Sequence, residues 1–139
     1  MVASTDAVLE EIQWFAGNTH MLSLTLKFSN GEVLEHNPCG EDCEMGSIAG
    51  LSDLTFTNAC YKTDHLDRML GDSFYLDSDE GGRITVGGSE GGSCSNNVEL
   101  PDLPIKGMMV SARADNWSID YFKFLYLDDG DVMYDGDVA

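Results

Sequence analysis

Apolar and polar residues alternate with a period of two along much of this chain, and helical spacing is scarce. The cleanest run is Leu22-Ser-Leu-Thr-Leu-Lys-Phe28. It places Leu22, Leu24, Leu26 and Phe28 on one face and Ser23, Thr25 and Lys27 on the other. Ser29-Asn30-Gly31 then turns the chain, with Asn-Gly a strong hairpin signal and residues 32–35 as the returning strand. Further strands are predicted over 9–15 (anchored by Leu9 and Ile12), 51–58 (Leu54 and Phe56 inward), 73–76, 83–86, 105–110 and 119–127. Gly81-Gly82 turns the chain between the middle pair, and residues 87–93 form a loop with almost no side chain. Many short strands without helices predict an all-β sandwich, barrel or prism.

Composition narrows the function. The chain has 139 residues, 42% of them hydrophobic, which suits one folded domain with a sizeable core. Seven Lys and Arg face 25 Asp and Glu, a formal charge of −18 with a pI near 4.1. Phosphates are repelled by such a surface, so nucleic acid and anionic lipid are not expected partners. Neutral ligands, cations and basic proteins remain. No apolar run approaches the ~20 residues of a membrane span, so membrane insertion is not expected, and no signal peptide is visible.

Four cysteines, Cys39, Cys43, Cys60 and Cys94, allow three pairings as two disulfides and suit an oxidising, extracellular setting. His36, Cys39 and Cys43 read H-x-x-C-x-x-x-C, but the second half of a zinc site is missing, so disulfides or plain thiols are the preferred reading. No nucleophile motif, zincin motif or phosphate-cradling loop occurs, and an enzyme is not expected. Asp77, Asp79 and Glu80 lie in a predicted turn, as do Asp128 and Asp129 with Asp131 beside them. A solvated acidic face is their default reading. Weak calcium binding by the Asp-Gly-Asp pairs 129–131 and 135–137 is the alternative, and no cofactor is otherwise implied.

A strand, a polar loop, a strand and a turn recur three times. The first copy runs Leu9–Ile12, Gly17–Met21, Leu22–Phe28 and Asn30-Gly31. The second runs Leu54–Phe56, Thr63–Asp67, Phe74–Leu76 and Gly81-Gly82, and the third runs Ile105–Met108, Asn116–Asp120, Tyr121–Leu127 and Asp129-Gly130. The order Gly82-Arg83, Gly87–Gly92, Leu100-Pro101, Ile105-Lys-Gly107 and Asp120 resembles the jacalin-related lectins over about residues 8 to 127, with Met108 in place of that family's Phe. The resemblance implies a β-prism: three Greek-key antiparallel sheets about a pseudo-threefold axis. Its domain would cover 1–127, with 128–139 left as a loose acidic tail. Self-association as a homodimer is also implied.

In that family a sugar sits where a Gly-x-x-x-Asp loop meets a Gly-Gly loop. The carboxylate accepts from two adjacent hydroxyls, and bare backbone approaches the ring. The first copy keeps Gly17 but has Met21 at the Asp position, so no site of this type is expected there. The second loop, Thr63, Asp64, His65, Leu66 and Asp67, keeps the Asp and would face Gly87, Gly88, Gly91 and Gly92; Thr63 departs from the leading Gly, and a β-branched residue resists its backbone shape. The third loop, Asn116, Trp117, Ser118, Ile119 and Asp120, also keeps the Asp, with Asn the best substitute for Gly. Residues 1–7 offer it no facing glycine, and Asn116–Ser118 is also a glycosylation sequon. A solvated loop residue is the commoner reading of His65, while Trp117 reads equally as an aromatic capping the prism end. The preferred expectation is a non-enzymatic module binding mono- or oligosaccharides; the alternative is an acidic calcium- or protein-binding matrix protein on the same scaffold.

Overall fold

The computed structural model describes residues 3, 7–16, 21–37, 46–62, 73–87, 94–100, 103–112, 119–128 and 131–134. All regular structure in them is β: β1 (Leu9–Ala16), β2 (Met21–Phe28), β3 (Val33–His36), β4 (Gly46–Ile48), β5 (Phe56–Lys62), β6 (Ser73–Ser78), β7 (Arg83–Gly87), β8 (Cys94–Glu99), β9 (Ile105–Ala112), β10 (Ile119–Asp128) and β11 (Asp131–Tyr134). They form three antiparallel sheets, ordered β3-β2-β1-β4, β7-β6-β5-β8 and β11-β10-β9. In the first two, three hairpin strands are followed by a fourth that returns beside the first, the Greek key. In the third sheet the N-terminal segment approaches β9: Ala3 donates its N–H to the Lys106 carbonyl at 2.7 Å, and the buried Lys106 amine donates to the Ala7 carbonyl.

Register makes the threefold repeat explicit. Ile12 pairs with Leu26, Ala59 with Leu76, and Met108 with Phe124. One register shift lies below each of these pairs, and beyond it Leu9 pairs with Phe28, Phe56 with Ser78, and Ile105 with Tyr126. All twelve residues are buried, so one ring of core positions is filled three ways. Sizes compensate: Ala59 is small where Ile12 and Met108 are large, and Phe74 meets Phe124 edge-on, with centroids 5.4 Å apart at 83°. Each large buried side chain contributes about 1.5–3 kcal/mol.

Several local expectations change. The strand expected at 51–58 begins only at Phe56, because Leu54 N–H bonds back to the Leu51 carbonyl at 3.1 Å and closes a turn. Ser23 and Thr25, on the face opposite Leu24 and Leu26, are buried as well; Ser23 Oγ donates to Asn37 Oδ1 at 3.0 Å. The first hairpin does turn on Ser29-Asn30-Gly31, as a three-residue loop: Gly31 N–H donates to the Phe28 carbonyl and Phe28 N–H to the Glu32 carbonyl, at 3.1 and 3.0 Å. Ser78, Gly81 and Gly82 repeat this pattern at 3.1 and 2.9 Å. Gly31 and Gly81 have φ of +91° and +84°, the left-handed residue that closes a three-residue loop. The C-terminal stretch expected as a loose tail supplies β11, and the pairing of Asp128 with Asp131 leaves only Asp129-Gly130 between strands.

Candidate functional site

The strand ladders fix where the candidate loops begin and end. In the second sheet Gly87 pairs with Ser73, Ser73 with Lys62, and Lys62 with Cys94. These four residues form one row across β7-β6-β5-β8, so residues 63–72 and 88–93 leave and re-enter the sheet at the same edge. An Asp-bearing segment and a glycine-rich segment therefore share one stem row. Residues 113–118 connect Ala112 and Ile119 at the corresponding edge of the third sheet, and 17–20 connect Ala16 and Met21 in the first.

Asp120 occupies a special place in that edge. The ladder runs Ala112 to Ile119 and then Ser111 to Tyr121, so Asp120 is the extra residue of a register shift. Bulges re-aim a side chain and gather beside functional sites. The first sheet has the same shift, between Phe15–Ser23 and Ala16–Met21, and its extra residue is Leu22. The residue standing in the place of Asp120 is thus Leu22 rather than Met21. The expectation that the first sheet lacks the carboxylate is unchanged, but the alignment moves by one.

The same counting reaches the second sheet. Phe74 pairs with Tyr61 as Leu24 pairs with Trp14 and Phe122 with Val110. Asp120 stands two residues before Phe122, and two residues before Phe74 the sequence has Asp72. Asp72 thus joins Asp67 as a candidate by sequence offset alone, and both lie outside the described residues. Motif spacing favours Asp67.

Of the expected contact residues, Gly87, Ile119 and Asp120 lie within described strands. Gly87 has φ of +111°, a backbone that residues with a Cβ rarely adopt, at the very foot of the glycine-rich segment. Thr63, Asp64, His65, Leu66, Asp67, Gly88, Gly91, Gly92, Asn116, Trp117 and Ser118 lie outside the described residues, as do Cys39 and Cys43. His36, half-buried on β3, is the described member of the H-x-x-C-x-x-x-C run. Among the described residues no group of three or more His, Cys, Asp and Glu is arranged to hold a metal.

Two other features lie away from the loop edge. A groove of about 220 Å³ opens at the opposite ends of the strands, lined chiefly by Val8, Leu9, Leu51, Leu54, Phe56 and Ile105. Its polar lining side chains are the hydroxyls of Ser52 and Thr55, and no carboxylate lines it. On the outer face of the second sheet, Arg83 grips Asp77 with Nε–Oδ1 at 2.7 Å and Nη2–Oδ2 at 3.2 Å. Its guanidinium lies 4.2 Å from the centre of the Tyr75 ring. The hydrogen bond from Arg83 holds the Asp77 carboxyl below its ordinary range, and the same bond raises Arg83. The guanidinium therefore stacks on one face of the Tyr75 ring.

Comparison with known proteins places this geometry. No family model matches the sequence, and no curated protein does. Solved structures do. A crystal structure of PirB superposes with a TM-score of 0.65 at 18% identity over 85% of this chain and 28% of that one. A lamprey immune protein gives 0.67 at 8% identity over 88% and 38%. A point variant of a Malaysian banana lectin gives 0.53 at 14% identity over 91% and 86%. This chain therefore spans about a third of the first two proteins and most of the lectin. At these identities the likeness is one of fold: the protein is an all-β prism of three antiparallel sheets, of the architecture seen in the banana lectin.

Proposed function

We propose that this protein is a carbohydrate-binding, lectin-like module that recognises neutral sugars at the loop edge of the prism. The observation that carries the proposal is the shared stem row of the second sheet, where an Asp-bearing segment and a glycine-rich segment spring from one edge. Asp120, at a bulge on the equivalent edge of the third sheet, supports it. In this reading a carboxylate takes two adjacent hydroxyls while glycine backbone donates N–H groups to sugar oxygens, with no chemistry performed on the ligand. The likeness to a banana lectin agrees with a module of this class.

The test is a glycan array followed by calorimetric titration of the best sugar. Asp120→Asn, Asp72→Asn and Asp67→Asn each remove one carboxylate charge with little change of shape. Loss of a charge-assisted bond pair is expected to weaken binding by about 1.5–3 kcal/mol, roughly 10- to 150-fold. Binding unchanged by all three substitutions would remove the site, and no binding to any glycan would remove the function.

The charge of −18 favours one second reading, an acidic scaffold that engages calcium or basic proteins. A rise in melting temperature with millimolar calcium, without sugar binding, is its expected signature.

A further inference from the structure

Cys60 stands on the outer face of β5, between Tyr75 on β6 and Asn97 on β8 in the ladder, while its neighbour Ala59 faces the core. Tyr75 is half-buried and Thr85 beyond it is exposed, yet Cys60 is only 1% exposed. Its sulfur is disulfide-bonded. The ladder discriminates among the three remaining cysteines. Position 94 lies opposite Lys62, two residues from Cys60 along β5 and therefore on the same face. A register shift between Tyr61 and Lys62 adds twist there. Diagonal neighbours lie roughly 7–8 Å apart between Cα atoms, and added twist brings them toward the ~4.4–6.8 Å that a bridge spans. Cys39 and Cys43 belong to the connection between β3 and β4 of the first sheet. That sheet meets the second where β1 packs on β7. Strands β7 and β6 then separate it from Cys60, about 10 Å of sheet at ~4.8 Å per strand.

We infer that Cys60 and Cys94 form a disulfide that staples the edge strand β8 to β5 at the foot of the glycine-rich segment. The staple answers a local weakness. Strand β8 reads Cys-Ser-Asn-Asn-Val-Glu, poor in strand-forming residues, and a single ladder holds it at the sheet edge. Its first residue is also the return point of residues 88–93, so the bond fixes one stem of that segment. A dithiol such as dithiothreitol breaks it by delivering two electrons and two protons, giving two cysteine thiols and the oxidised cyclic dithiol.

The connectivity is read by alkylating the native protein, digesting it with pepsin at low pH without reduction, and identifying cross-linked peptides by mass spectrometry. A species joining the Cys60 and Cys94 peptides, lost on reduction, is expected. A Cys60 peptide joined to Cys39 or Cys43, or found alkylated, would overturn the assignment. Hydrogen exchange supplies the second arm, without any sugar: the Cys60→Ser/Cys94→Ser double variant should exchange amides of 88–99 several-fold faster, with β2 and β10 unchanged. Equal exchange in both proteins would refute the stapling role. Neither arm depends on carbohydrate binding, so this inference and the proposed function fail separately.

Discussion

Replacing Gly87 by alanine tests whether the foot of the glycine-rich segment is built on backbone freedom. At φ +111° a Cβ is strained whatever space surrounds it, and such a conformation costs on the order of 1–3 kcal/mol for a residue other than glycine. Unfolding entropy near 2.1 cal/mol/K per residue gives about 0.29 kcal/mol/K for a chain of 139 residues. The expected fall in melting temperature is therefore about 3–10 °C. Gly82→Ala, in the same β6–β7 hairpin, is the control. Gly82 lies outside the positive-φ region, and an added Cβ meets only Ser78 Oγ, at 3.4 Å. Alanine there should be neutral or stabilising by up to about 1 kcal/mol, since it restricts the unfolded chain. Circular dichroism melts of both variants decide the matter, and a sugar titration of Gly87→Ala reports whether the loop foot also shapes the ligand site. If Gly87→Ala melts within a degree of wild type, or Gly82→Ala loses as much, the backbone at residue 87 does not need glycine.

Other perturbations have equally definite expectations. Phe74→Ala removes a fully buried ring and its edge contact with Phe124, and should cost about 3–5 kcal/mol in urea unfolding. A cycle with Phe124→Leu should then show about 0.5–1.5 kcal/mol of coupling. Gly46→Ala places a Cβ 2.9 Å from the Trp14 ring, so about 1–3 kcal/mol of overpacking and a shift in tryptophan emission are expected. Because the Asp77 carboxyl titrates below its ordinary 3.8, the Arg83 contact adds stability above that pH and loses it as pH falls through the folded value. Arg83→Ala should accordingly destabilise more at pH 6 than in acid below pH 3.8, and 1 M salt should shrink the difference at pH 6, all read from denaturant midpoints.

The strand grammar was legible where apolar alternation is strong. Leu22–Phe28 and the aromatic run after Ile119 sit within strands, and the threefold repeat is real, although Phe56 rather than Leu54 aligns with Leu9 and Ile105. What escaped were strands whose pairing, not composition, makes them strands. Gly46–Ile48 is three residues long, Cys94–Glu99 is polar, and Asp131–Tyr134 lies in an acidic stretch of sequence. Each is an edge strand recruited by a neighbour already in place, so propensity carries little of the decision. The site was half legible for a related reason. Residue types marked the Asp and glycine segments but not their register, which the ladder supplies within the described strands, as at Asp120.

The contact between residue 3 and Lys106 has a consequence for how the molecule is assembled. The first two sheets are each built from consecutive segments, whereas the third gathers positions more than 90 residues apart, as the Ala7–Lys106 bond shows with a separation of 99. Closing so large a ring costs several kcal/mol of chain entropy before any contact offsets it. Refolding should accordingly end with this closure, and cutting away residues 1–7 should loosen β9 while leaving the ladder between β5 and β6 intact.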